Sequence, residues 1–360
     1  MQELYRINIV TREMKSRNRS LEFGSIGEAY AAIFEDAYKR NLEGRGPDTL
    51  YKPIIDLLGR GGKRLRPSLC LMTCELVGGE IKKALPTAIC IEFFHNFSLA
   101  HDDIEDNSKL RRGEPALHIK YGVPIAVNAG DGLYALSYEA LKSNRGLLGL
   151  ERAWEIFEEI AELCVVLSEG QAMDLEFKDR KEMTELEVIE TLRKKTAKLF
   201  GVSAKCGAIA GGASHETAED LSSAWEDIGI AFQIRDDILN VLGEEEKYGK
   251  RIGEDIAEGK PTLLLVNCLE HCEAREKENI YECFHNYDKA KIEVVVNLFR
   301  KYGSIDYSEE IAMRYLRSGT DKIRKIDIRG KGKGEIEGRT REEIKEKMVT
   351  LAEYFVERER

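Results

Sequence analysis

The amino-acid sequence predicts an all-α protein, and three observations carry that expectation. Only seven prolines occur among 360 residues, so few positions interrupt a helix. Long stretches space their apolar residues by three and four, as in Ile89, Phe93, Phe97 and Ala100, or Leu186, Ile189 and Leu192. No alternating apolar–polar run recurs between hairpin turns, the pattern that a sheet would need. We therefore expect one large bundle of long helices, elaborated at both ends.

Taken in order, residues 1–24 read as a polar extension without the apolar core or small-residue cleavage site of a signal peptide. A helical domain is expected over 25–328. Its most apolar run, ALPTAICIEFFHNFSLA, includes Glu92 and His95 and is too short and too polar to cross a bilayer. The segment 221–242 repeats the helical spacing. RGKGKGEIEG (329–338) is a glycine- and charge-rich break. An amphipathic helix over 341–358 follows it, with Ile344, Met348, Leu351 and Phe355 on one face that should pack on the same domain. No internal repeat of solenoid length is present.

The composition is 42% hydrophobic and 33% charged, enough to bury a core. A net charge of −10 argues against a nucleic-acid partner, because an acidic chain gains nothing from counterion release. A cytoplasmic protein is expected. The eight cysteines include Cys70 with Cys74, and Cys268 with Cys272, the latter near His271, Cys283 and His285. Neither pair has the doubled CxxC spacing of a zinc site, so buried free thiols are the expectation.

The chemistry is carried by charge clusters. In HDDIEDNSKLRRGEPALH (101–118), Asp102, Asp103, Glu105 and Asp106 crowd four carboxylates into five positions. On a helix Asp102, Asp103 and Asp106 share one face, where like charges repel. Lysine is absent from that turn, which follows the apolar FFHNFSLA, so the cluster is either a solvated acidic face or a cation site. All-oxygen ligands suit Mg²⁺ better than zinc. FQIRDDILN (232–240) repeats the pair as Asp236 and Asp237, with Asn240 at the position matching Asp106. Mg²⁺ keeps few protein ligands and completes its shell with water and phosphate, which points to a phosphorylated substrate. Basic residues agree: Lys63, Arg64 and Arg66 in GRGGKRLRP, then Arg111 and Arg112, Lys194, Lys195 and Thr196, and Lys250 and Lys260. None of these segments has the spacing of a P-loop.

GGKRLRP, HDDIEDNSKLRRGEPALH, EGQAMDLEF, KKT, FQIRDDILN and GEDIAEGKPTLL stand in the order found in trans-isoprenyl diphosphate synthases, and over residues 50–265 the chain resembles that polyprenyl synthetase family. The resemblance implies a helical bundle around a deep apolar cavity (the isoprenoid synthase type), and usually a homodimer. It implies that Asp102, Asp103, Asp106, Asp236 and Asp237 hold two or three Mg²⁺ ions against an allylic diphosphate. Arg111, Lys195 and Lys250, with Gln233, Thr196 and Lys260 nearby, would grip that diphosphate. Lys63, Arg66, His95 and Arg112 would form the pocket for isopentenyl diphosphate. The implied reaction is ionisation of the allylic substrate, condensation with isopentenyl diphosphate and loss of a proton. Phe97, five positions before Asp102, matches a cavity-floor residue, and small Ser98 beside it matches the short-chain pattern that makes geranylgeranyl diphosphate. A farnesyl or longer product is the alternative. A class I terpene cyclase would not need the second diphosphate pocket, and a non-catalytic partner subunit would not keep the first acidic motif intact.

Overall fold

Helices form wherever the three- and four-residue apolar spacing runs. The computed structural model describes residues 29–178, 180, 182–243, 252–284, 287–328, 335–336 and 339–357. The polar extension 1–24, Lys250, His285 and most of the glycine-rich break therefore lie outside the described residues. Chain order is α1 (29–42), α2 (Asp48–Gly59), α3 (Leu65–Leu76), α4 (Ile81–Glu105), α5 (Leu117–Tyr121), α6 (Val123–Leu141), α7 (Asn144–Leu148), α8 (Leu150–Phe177) and α9 (Glu185–Leu192). A π turn over Arg193–Ala197 joins α9 to α10 (Lys198–Gly211). Then come α11 (His215–Leu242), α12 (Glu254–Ala257), α13 (Leu263–His271), α14 (Ala274–Tyr281), α15 (Lys289–Lys301), α16 (Ser304–Lys325) and α17 (Arg341–Val356). Among the described residues the strands amount to two antiparallel hairpins: Leu110–Arg111 with Glu114–Pro115, and Glu335–Ile336 with Arg339–Thr340.

Local chemistry sets several boundaries. Thr184 opens α9 in a capping box with Glu187, and Thr340 opens α17 in another with Glu343. Ser214 caps α11 and Thr262 caps α13. Helix α10 is central, packed on α3, α4, α8 and α11, while α4 lies along α6 and α11 along α16. The crossing of α3 and α10 is so close that a Cβ on Gly207 would fall 2.1 Å from the Cys70 carbonyl oxygen. Only glycine allows that approach.

One buried cluster joins α1 through α8 with α10, α11, the later part of α16 and α17, and a second gathers α9, part of α11 and α12 through α16. The apolar stripe of α4 behaves as expected: Ile89, Phe93 and Ala100 are buried and Phe97 is half-buried. Ile344, Met348, Leu351 and Phe355 of α17 are likewise buried, against α3, α11 and α16. All eight cysteines are free thiols, and every one except Cys164 is buried. No helix among the described residues is long and apolar enough to cross a membrane.

Candidate active site

The last turn of α4 delivers the first carboxylates. Asp103 is buried and takes a bidentate contact from Arg111, whose Nε donates to Oδ1 at 2.9 Å and Oδ2 at 3.1 Å. Asp102 lies 3.1 Å from the Lys195 ammonium and 3.5 Å from Arg111. Asp106 pairs with Lys178, from the end of α8. The repulsion written into the sequence is thus answered from three other segments. Burial would raise the Asp102 carboxyl, but Lys195 and Arg111 outweigh it and hold the group well below its ordinary value.

Helix α8 supplies residues that the motif reading did not single out. Asp174 accepts from Lys195 at 2.6 Å, and Gln171 donates to Asp102 at 3.4 Å and also to Glu105. The signal was present: EGQAMDLEF puts Gln171 and Asp174 three apart, on one helical face. Glu105, without a role at the level of sequence, anchors Gln171. Lys178 and Glu258 were likewise invisible, lying 3.8 Å apart across two distant segments.

The second cluster sits on α11. Asp237 is buried and accepts from Gln233 at 3.0 Å, whose own Oε1 accepts from Thr196 at 3.0 Å. Burial pushes the Asp237 carboxyl up to about 7, with Lys260 opposing and Asp255 and Asp236 adding to the rise. Lys260 stands 3.6 Å from Asp255. Burial works against its charge, but Asp255, Asp237, Asp174 and Asp102 together raise its pKa well above the ordinary value. One ammonium therefore senses carboxylates of both clusters. Asn240 is engaged by the backbone that follows α11: it is buried, and its Oδ1 accepts from the Asp255 amide at 3.3 Å while its carbonyl accepts from Gly253 at 2.7 Å. It pins the start of α12, which carries Asp255 and leads on to Lys260.

A separate cavity of about 170 Å³ is lined by Lys63, Arg66, His95, Arg112, Phe232 and Phe355, among others. Arg66 donates to His95 Nε2 at 3.3 Å, an acceptor role open only to the neutral imidazole. Burial and then the positive charges of Arg66, Arg112, Arg111 and Arg64 keep His95 neutral, well below its ordinary pKa. Arg66 stacks over Phe200 at 4.3 Å, and burial lowers its pKa to about 10. Lys63 lies over the rings of Phe355 at 4.8 Å and Tyr354 at 5.5 Å, so α17 walls this pocket. Arg112 donates to the Gly61 carbonyl at 2.5 Å. Arg64, grouped with Lys63 and Arg66 in the sequence, has another job. With φ at 45° it turns inward to ion pairs with Glu35 at 2.8 Å and Glu92 at 2.7 Å, which bind α1, α3 and α4 together.

Arg111 and Arg112 are adjacent yet serve different pockets. The hairpin after α4 presents Arg111 to the carboxylates, and a left-handed Arg112 (φ 56°) sends the next side chain to the basic cavity.

Below the first cluster Phe97 packs on His101 at 4.9 Å, Tyr134 at 5.1 Å and Phe94 at 5.4 Å. Tyr134 comes from α6 and continues to Tyr138 at 5.3 Å, whose hydroxyl meets the Cys164 sulfur at 2.9 Å. Ser98 donates to the His95 carbonyl at 2.9 Å.

Metal fit follows from donor chemistry. Among the described residues no three His, Cys, Asp or Glu side chains converge as a ready-made cage. Mg²⁺ does not ask for one, since one or two carboxylates with water and phosphate oxygens complete its octahedron. The aspartate pairs Asp102–Asp103 in the last turn of α4 and Asp236–Asp237 on α11 supply oxygen donors of that kind.

The polyprenyl synthetase family model matches residues 47–301. The chain is 34% identical to the short chain isoprenyl diphosphate synthase of Methanothermobacter thermautotrophicus, across 94% of this chain and 99% of that protein. The solved geranylgeranyl pyrophosphate synthetase of Pyrococcus horikoshii superposes with a TM-score of 0.84 at 35% identity, covering 94% and 98% of the two chains. A polyprenyl synthase of Caulobacter crescentus, solved with calcium and isoprenyl diphosphate, gives 0.82 at 25% identity, covering 94% and 97%. With these likenesses along nearly its whole length, the chain belongs to the polyprenyl synthetase family.

Proposed function

We propose that the protein is a Mg²⁺-dependent trans-prenyltransferase that condenses isopentenyl diphosphate with an allylic diphosphate, and that geranylgeranyl diphosphate is its product. One observation carries this reading: two polar sites of opposite charge open on one apolar bundle, and neighbouring Arg111 and Arg112 are divided between them. Two diphosphates with different neighbours are what such a division serves.

Asp102, Asp103, Asp106, Asp236 and Asp237 would hold two or three Mg²⁺ ions. When bound, these ions neutralise charge building on the departing diphosphate. Arg111, Lys195 and Lys260, with Thr196 and Gln233 behind them, orient the allylic diphosphate by charge-assisted hydrogen bonds. Lys63, Arg66 and Arg112 bind isopentenyl diphosphate, and neutral His95 offers a ring N–H without a second charge. The allylic C–O bond breaks with its electron pair leaving on the diphosphate. The double bond of isopentenyl diphosphate then attacks the carbocation, and a proton passes to the released diphosphate. The apolar walls keep water from the cation.

Product length rests on Phe97, with Ser98 beside it. Phe97 lies about 7–8 Å from Asp102 along α4, and its ring is backed by Tyr134 rather than by open space. A homodimer would cover the exposed apolar side chains of α6 and α8, Val123, Leu150, Trp154 and Val165 among them. The acidic chain would work in the cytoplasm.

The test is incubation with Mg²⁺, labelled isopentenyl diphosphate and a set of allylic primers. A C20 diphosphate is expected, lost on chelation. Hydrocarbon release would instead mean a cyclase, and no turnover would remove the reading. Phe97→Ala should shift the products longer; an unchanged spectrum makes Phe97 ordinary core.

A further inference from the structure

Three successive residues of the KKT segment reach four partners on three helices. Lys194 pairs with Glu169 of α8 at 2.8 Å, Lys195 with Asp102 of α4 and Asp174 of α8, and Thr196 with Gln233 of α11. The π turn over Arg193–Ala197 makes this possible, since its wider i→i+5 ring re-aims the side chains that it carries. A widened turn takes more room, and its backbone lies directly against α8. At the contact stands Gly170, buried between Glu169 and Gln171. A Cβ there would fall 2.5 Å from the Lys195 amide nitrogen, 2.8 Å from the Lys194 carbonyl carbon and 2.8 Å from the Lys194 Cβ. Two of those atoms are backbone, so no rotamer change relieves the clash. Glycine in a helix interior is disfavoured against alanine, and its use at mid-α8 matches a geometric requirement.

We propose that Gly170 is a positioning residue for the allylic diphosphate: by letting α8 touch the π turn, it sets the reach of Lys195 to the first aspartate cluster. The register of α8 agrees. Glu169 fixes the turn from one side, Asp174 fixes the Lys195 ammonium from the other, and Gln171 fixes Asp102 itself. Adding one methyl group separates the turn from α8 and withdraws Lys195 from both carboxylates. The basic cavity around Lys63 and Arg66 has no contact with Gly170, so the second substrate is untouched.

This inference rests on Lys195 gripping the allylic diphosphate, and the experiment separates the two. The full-length enzyme is assayed as Gly170→Ala, Lys195→Ala and the double variant, with kcat and both KM values, alongside circular dichroism and thermal midpoint. Gly170→Ala alone should lower kcat about 10- to 100-fold and raise the allylic KM, with the isopentenyl diphosphate KM within about twofold. In the Lys195→Ala background the same substitution should change kcat by no more than about twofold, because the group it acts through is gone. Gly207→Ala, at a still tighter helix crossing remote from Lys195, should lower the midpoint while preserving the ratio of the two KM values. Multiplicative effects in the cycle, an equal rise in both KM values, or a Gly170→Ala chain that does not fold would each overturn the proposal alone. A Lys195→Ala enzyme with wild-type kinetics would overturn it together with the role of Lys195.

Discussion

The two aspartate clusters share a sequence pattern and differ in their electrostatics. The cluster on α4 is surrounded by cations: Arg111 on Asp103, Lys195 on Asp102, Lys178 on Asp106. Its leading carboxylate is held ionised. The cluster on α11 is sunk among carboxylates, and Asp237 rises to about 7 because burial, Asp255 and Asp236 outweigh Lys260. Matched motifs therefore do not mean matched sites. The first is pre-organised for a charged ligand by groups already in place, while the second stores repulsion that a bound cation would relieve.

The strongest way to break this comparison is to remove one carboxylate from each side. Asp102→Ala and Asp236→Ala should each lower turnover about 10³-fold or more, since several kcal/mol of charge stabilisation is lost at ionisation. Circular dichroism should show the fold intact in both. Wild-type turnover for either at limiting Mg²⁺ would end the metal assignment for that cluster.

Next in size is the basic cavity, which neither cluster touches. Lys63→Ala should raise the KM for isopentenyl diphosphate by about 10- to 100-fold, the cost of one charge-assisted contact, and leave the allylic KM nearly unchanged. Equal effects would show that the two pockets have been divided wrongly.

The clusters should also respond to pH with opposite sign. Asp237 and Glu258 are raised to about 7 from ordinary values of 3.8 and 4.5. In the metal-free folded protein they keep protons that the unfolded chain has already released, so stability falls as pH rises between about 4 and 7. Asp102, held low, contributes stability that is present above about pH 4 and lost as pH drops further. Thermal midpoints of metal-stripped protein should therefore decline from pH 4.5 to 7, and Asp237→Asn should flatten that decline. A slope identical in the variant would contradict the buried, proton-holding Asp237.

The smallest effect is expected from Asn240→Asp, which gives the second cluster a carboxylate at the position matching Asp106 of the first. Because the Asn240 Oδ1 is already engaged with the Asp255 amide, turnover should stay within about threefold of wild type. A tenfold gain would mean that position 240 does reach the metal.

Much of this molecule was legible in one dimension. Apolar spacing marked α4, α11 and α17, since a helix that buries one stripe must repeat it every three or four residues. Asp102, Asp103, Asp236 and Asp237 stood out because like charges beside apolar residues need a reason.

What the chain by itself determined is which side chains are present and which face of each helix they share, because both are local properties set by a 3.6-residue period. Only the tertiary structure decided who answers whom. Arg64 and Arg66 are two residues apart, yet one became a buried strut against Glu35 and Glu92 and the other a wall of the basic cavity. Asp102 and Asp237 carry the same carboxyl group, yet one is driven down by Lys195 and Arg111 and the other up by burial. Coulomb energy depends on distance and dielectric. Both are fixed by helices that meet in space, from segments far apart in the chain.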